Sequence, residues 1–482
     1  MRISLLVFSG VAAGMALTWA TDPEFLDLWA LTLLLLAIGG IPLCLELSAK
    51  TFDIMNLRNA FVLTYLLEYA VWTAYILTTG TTQFFIADPR TLHDTFALAL
   101  VYANLGLLCF HIGYYVPGSI LKRASRLSGS WDRKAVNGVS LCLAIVGILA
   151  FVLLMRDLGG ISAYISEWGH QRAIALRGKT SFAFASTNFL ALSSCLLYVV
   201  AIRGQSRRHL GFAIITLLIL TLAGLIIGYR NMVALPAMQL LVIHHYLRRP
   251  LTPNVTTVSL AVFLILCSNL YAWLRATPSF TSRPDLGAIS DSIQDAAFWK
   301  NSLPLLLNRF HGIECLVIVI EKTSGNVPFE LGIKSLTEIV TAPVPRIVWP
   351  DKPAPQGVRF SETFFFQSEP RIFSQSGGIA PGWLGEAYWN FHVAGVLFGS
   401  LFAGAVCKTL YRFFVFNRGN ASVLLLYSAC VPICVWLVEA PTLAIGILVL
   451  TWLPMLAVLI AVRGKVHAGA RTSAAGSLCA RY

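Results

Sequence analysis

The chain has 482 residues, of which 57% are hydrophobic and only 12% charged, against about 25% charged in soluble domains. That balance excludes a soluble globular protein and describes an integral membrane protein. The net charge of +13 is met by the Lys and Arg that orient such a protein in its bilayer, so no nucleic-acid partner is expected.

Taken in chain order, windows of about 20 apolar residues fall at 3–20, 25–47, 59–79, 95–118, 137–156, 182–202, 211–229, 231–247, 255–275, 391–408, 421–439 and 442–462. The fold class is therefore all-α and polytopic, with about twelve transmembrane helices in one membrane domain. The first window follows Arg2, as in a signal peptide, but Leu17-Thr18-Trp19-Ala20 is a poor small-residue cleavage site and the helix is taken as retained. Basic residues then set the orientation. Lys50 and Arg58, the Lys122–Lys134 cluster, Arg203 to Arg208, Arg248 and Arg249, Lys408 to Arg418 and the tail beyond Arg463 all lie on the side of the N-terminus, whereas the short connections at 21–24 and 440–441 carry none. Both termini are predicted cytoplasmic.

Two outer segments are long and nevertheless basic, residues 157–181 and 276–390. Within the larger loop, 302–322 has two readings. As a further span it would bury Arg309, His311 and Glu314 and invert every later loop; as an amphipathic helix on the outer surface it places His311, Glu314, Ile318 and Glu321 on one face. The second is preferred. Residues 341–355, TAPVPRIVWPDKPAP, hold five prolines. Each Pro fixes its own backbone and extends the residue before it, which predicts a stiff, extended strap displaying Arg346, Trp349 and Lys352.

Familiar catalytic signatures are missing. GKT at 178–180 has Ala173 where a phosphate-binding loop needs Gly, and there is no HExxH, GxSxG or GxGxxG. Asp-x-Asp is absent, so a divalent metal has no obvious seat; no metal and no cofactor are expected. The cysteines follow no metal or disulfide spacing and nearly all fall inside apolar spans, Cys315 alone facing the outer compartment.

Cations and aromatic rings remain, gathered on the outer side. Arg172, Arg177 and Lys179, Arg230 in a tight hairpin, Arg309, Arg346 and Lys352 offer donors suited to phosphate oxygens. The plainer reading of each is an Arg or Lys reaching to lipid headgroups, and this is preferred for Arg359 and Arg371. Trp349 and Tyr388 suit a sugar ring, although an interfacial belt accounts for Trp349 equally. Acid and base candidates are Glu386, His311 and Glu314; Glu68 and Glu439 are further carboxylates placed at cost. Gly395, Gly399 and Ala403 read as a helix-packing seam.

In its ordered set of outer motifs the chain resembles the oligosaccharide repeat-unit polymerases of the Wzy type. They are LGGISAYISEWGHQRAIALRGKTSF, GYRN at a hairpin, RFHGIE, VPRIVWPDKP and GGIAPGWLGEAYWNFHVAG, covering roughly residues 155–410. The resemblance implies glycosyl transfer at the outer face of the bacterial inner membrane, building O-antigen, capsule or exopolysaccharide on a fold similar to C-class membrane glycosyltransferases. Donor and acceptor would both be undecaprenyl-pyrophosphate-linked oligosaccharides, with a flippase and a chain-length regulator as partners. Arg172, Arg177, Arg230, Arg309, Arg346 and Lys352 would then hold pyrophosphate, Trp349 and Tyr388 glycan, and Glu386, His311 or Glu314 would act as base. Many relatives have Gly after the Asn-Phe of the last motif; here His392 follows and joins the candidates. An O-antigen ligase and a flippase or transporter are the competing readings.

Overall fold

A computed structural model describes residues 25–84, 87–116, 131–161, 180–227, 230–252, 298, 310–323, 325, 327–344, 348–349, 351–365 and 378–463, with the side chains of 180–186 and 230–232 left out. These residues form helices and connections, without strands. In chain order the helices are α1 (Leu26–Ser48), α2 (Leu57–Thr79), α3 (His93–Tyr115), α4 (Arg133–Asp157), α5 (Thr180–Gly204), α6 (Arg207–Ile227), α7 (Arg230–Leu247), α8 (Gly312–Thr323), α9 (Ile333–Thr341), α10 (Gln356–Phe364), α11 (Gly382–Phe416), α12 (Ala421–Glu439) and α13 (Pro441–Ala461). Nine among the described residues are long and apolar enough to cross a membrane; α7 is apolar over a shorter stretch, Val233–Leu247. Every predicted span within these residues is a helix. The spans at 3–20 and 255–275 lie outside them.

Helix boundaries follow local chemistry. The side chains of Asn56, Asp132 and Asn420 accept hydrogen bonds from the backbone N–H groups of Arg58, Lys134 and Ser422, satisfying donors that α2, α4 and α12 leave open. Gly80 ends α2 with φ 65°, the left-handed geometry that Gly adopts without cost.

The core is built where α11 lies along α3. Gly113 and Gly404 make the contact possible, because a methyl at either position would overlap the backbone of Leu401 or Phe110. Phe61, Phe110, Tyr65 and Trp383 fill the space beside this seam.

The two ends of the bundle differ. At one end Trp131 Nε1 donates to Ser422 Oγ (3.0 Å), Arg203 to the Gly419 carbonyl (2.9 Å), and the Asp132 N–H to the Val462 carbonyl (3.0 Å). Asp53, between α1 and α2, is the hub there. It accepts from Tyr246 (2.7 Å) and Tyr411 (3.0 Å) and pairs with His245 Nε2 (3.2 Å). Burial alone would raise its carboxyl, but hydrogen bonds from His245 and Tyr246 outweigh it and hold the group below its ordinary range. The segments meeting at this end are those carrying the basic residues of the shorter loops.

Toward the opposite end, helices begin inside the bundle. A π turn at Leu67–Val71 interrupts α2 and carries Glu68, whose carboxylate accepts the first N–H of α8, that of Gly312 (2.8 Å). The neighbouring Tyr69 hydroxyl accepts from the Leu384 N–H in the first turn of α11 (3.0 Å). Both α8 and the start of α11 are thus level with the middle of α2. From there α8 rises until Glu321 accepts from Thr95 in the first turn of α3 (2.9 Å).

The expected surface helix at 302–322 is corrected by α8, since Gly312 to Ile320 are all buried. Apart from Glu314 its stretch GIECLVIVI is apolar, and a helix without a broad polar face buries itself. Cys315 is likewise inside, its thiol against the Ala380 carbonyl at 3.4 Å. The amphipathic helix of this region is α9.

Candidate functional site

Helix α11 is a hairpin. Phe391 and His392 leave helical geometry, and Trp383 Nε1 donates to Ser400 Oγ at 3.0 Å, where a straight helix would separate them by about 25 Å. A side chain on Gly395 would meet the Ala387 carbonyl, so part of the small-residue seam closes the hairpin on itself. The first limb ends at Asn390 and the second, from Val393, is the expected tenth span.

Glu386 stands on the first limb and is buried. Its Oε1 accepts from Ser335 Oγ of α9 (3.1 Å) and from the Thr442 hydroxyl, while Oε2 accepts the Thr442 N–H at the start of α13 (3.2 Å). A carboxylate at a helix N-terminus is favoured by the dipole and by the open N–H groups, so Glu386 joins three elements. One turn on, Asn390 donates to Ser335 Oγ (3.3 Å) and to the Glu386 carbonyl (2.9 Å), and accepts the Gly332 N–H (2.9 Å).

Around this carboxylate sits an ion-pair network. Arg359 of α10 donates to both oxygens of Glu330 (2.8 Å each) and approaches Glu338 (3.6 Å), and Glu338 accepts the Gln356 N–H (2.7 Å). Burial raises the Glu338 carboxyl, opposed by the Gln356 amide and the Arg359 charge. Arg359 is therefore a mostly buried bridge rather than a headgroup contact, which corrects the expectation; only Lys334, the second partner of Glu330 at 3.0 Å, is well exposed.

Glu314 points elsewhere. Gly385 borders Cys315 and Leu316, so α8 and the first limb touch, but the Glu314 carboxylate accepts from the Gln83 N–H (2.9 Å), and His311 sets its ring at the edge of Phe84 (5.5 Å). Burial raises the Glu314 carboxyl to about 8, against the hydrogen bond from the Gln83 amide. A buried acid favoured in its neutral form stabilises the fold fully below its ordinary value of 4.5 and loses that contribution as pH rises toward 8. Glu314→Gln is expected to flatten the fall in thermal midpoint across this window; an unchanged slope would assign it to other groups.

Tyr388 lies beneath rings of Tyr102 (5.6 Å), Phe329 (6.2 Å) and His392 (4.7 Å), of which Phe329 and His392 are exposed. His392 has φ 56° and ψ −149°, a region almost restricted to Gly that costs other residues about 1–3 kcal/mol. The backbone at position 392 is thus one that suits Gly better than the His it carries. His392→Gly should raise unfolding stability by about 1 kcal/mol, read as a higher thermal midpoint in detergent; a lower one would mean that its ring contacts outweigh the strain.

Beyond Thr341, which ends α9, the strap at 341–355 is non-helical where described, as its prolines require, but it is not extended. Lys352 Nζ reaches the Ala342 (3.4 Å) and Val344 (3.3 Å) carbonyls, whereas ten extended residues would span roughly 33 Å. Its ammonium ties the loop into a fold-back, and Trp349 is left exposed. Arg172, Arg177, Arg309, Arg346 and Arg371 lie outside the described residues, and Arg230 is described only as the first backbone position of α7. The sequence reading missed Ser335, Thr442 and the Arg359 bridge. Ser335, small and polar between Lys334 and Leu336, carries no motif, and Thr442 was visible only as the residue after Pro441 in a short outer turn.

Residues 161–420, just over half of the chain, match a family described as a domain of unknown function (DUF8712). No curated protein and no solved structure matches.

Proposed function

This chain belongs to the DUF8712 family, and we propose that it is a membrane glycosyltransferase that polymerises lipid-pyrophosphate-linked oligosaccharide repeat units at the outer face of the bacterial inner membrane. The observation carrying this reading is the buried Glu386 carboxylate, fixed by Ser335 and Thr442 on a limb that also bears Tyr388, which packs against the exposed rings of Phe329 and His392. In the reaction an acceptor hydroxyl attacks the donor's anomeric carbon, the bond from that carbon to the pyrophosphate oxygen breaks, and Glu386 takes the hydroxyl proton. The departing pyrophosphate gathers negative charge, for which Arg172, Arg177, Arg230, Arg309 and Arg346 are the cations in reserve. The basic end of the bundle faces the cytoplasm.

The test uses purified protein in detergent with a lipid-pyrophosphate-linked repeat unit, without nucleotide or added metal, and products separated by size. A ladder of repeat multiples supports polymerisation; transfer of a finished chain to a different lipid acceptor would mark a ligase. A transporter is the second reading, favoured by one observation: α8 and the first limb of α11 both begin level with the middle of α2, beside Glu68 and Tyr69, as broken helices do at transport sites. Unchanged substrate together with its movement across vesicles would select that reading.

A further inference from the structure

Helix α9 is amphipathic in an unusual sense for a loop outside the predicted spans. Ile333, Leu336 and Val340 are 67%, 63% and 68% exposed, and spacings of three and four put them on one face. Between them on that face is only the uncharged Thr337. The remaining polar groups are turned away and partnered: Ser335 meets Glu386, Lys334 pairs with Glu330, and Glu338 accepts from Gln356. The apolar stripe thus carries no charge of its own, and the charges beside and behind it are paired.

What covers the stripe follows from what it adjoins. Helix α9 packs on α13, where Ala342 lies against Gly446, and α13 is a span mostly unburied by protein, with Leu443 exposed near its start. In a bilayer that surface is lipid-facing, and the stripe belongs to the helix packed against it and carries no charge of its own. Left in water, the three side chains would keep most of their apolar surface hydrated, at a cost in free energy. We propose that α9 is an in-plane interfacial helix whose Ile333, Leu336 and Val340 face binds the hydrocarbon of bilayer lipid, so that Glu386, on its other side, is shielded from the membrane by a single helix. The consequence that lipid-linked substrate reaches Glu386 sideways from the leaflet rests on the polymerase reading above; the lipid contact itself does not.

The full chain is made with a photoreactive diazirine analogue of leucine at position 336, and in a control at position 334. It is reconstituted into vesicles of phosphatidylethanolamine and phosphatidylglycerol, illuminated, and analysed by mass spectrometry. Phospholipid adducts at 336 at least ten times more abundant than at 334 are expected. Water-quenched label at 336, or a cross-link to a second copy of the chain, would overturn the proposal. At 336 the diazirine side chain is nearly isosteric with leucine and at 334 it replaces an exposed Lys, so the thermal midpoint in detergent is used to verify that both proteins fold. Lipid adducts without a polymer ladder would leave the interfacial helix standing and remove only the glycosyl-transfer reading, whereas a ladder without adducts would do the reverse.

Discussion

Glu386→Gln is expected to fold with a thermal midpoint close to that of the parent and to lose chain elongation by about 10²–10⁴-fold, the range for removal of a general base. The amide has nearly the shape of the carboxylate, and its partners suit it. Its carbonyl can accept the Thr442 N–H, while its NH₂ can donate to the Ser335 and Thr442 hydroxyls, which accept as well as donate. Only the capacity to hold a proton is removed. Glu386→Ala would be less informative, since it leaves those donors unpaired and opens space between α9, α11 and α13. Elongation by the Gln variant at the parental rate would make Glu386 a cap on α13 and return the search for a base to His311 and Glu314.

The second large effect is structural. Arg359→Met should destabilise the protein by about 3–5 kcal/mol, because it strands Glu330, a carboxylate only 3% exposed, without its bidentate partner. Lys334 remains within 3.0 Å but is well exposed, and a screened partner recovers little of the loss. Glu330 is also tied to the hairpin through its backbone, its N–H donating to the Trp389 carbonyl (3.1 Å). Adding Glu330→Gln to Arg359→Met is expected to restore most of the stability, since the charge that lacked a partner is then gone. Unfolding in detergent measures both, and a double variant no better than the single one would place the loss in packing instead.

Hydropathy made the spans legible because crossing a bilayer demands a length of apolar helix that few other tasks require. It could not give depth. GIECLVIVI in α8 and GWLGEAYWN in the first limb of α11 are apolar enough to be buried and too short to cross, and no local pattern says where such a helix starts; that is set by Glu68 and Tyr69 on α2, more than 240 residues from Gly312 and still farther from Leu384. The candidate site was legible in part for the same reason. Glu386 stood out as an acid in an apolar setting, whereas Ser335 and Thr442 become its partners only through tertiary contact. The prolines of the strap excluded helix correctly, yet stiffness at each residue does not fix the path of the whole, and Lys352 bends it back.

The hairpin of α11 also bears on how the protein is made. Its first limb is too short to be inserted as a crossing of its own, so during synthesis the second limb is the part that a translocation channel can release into lipid. Glu386 then waits for a partner not yet translated, because Thr442 follows the whole of α12. The carboxylate has both of its supports only when the last described helix has joined the bundle, so a chain interrupted before α13 holds an acid without its setting. The setting of Glu386 is thereby coupled to the docking of α13.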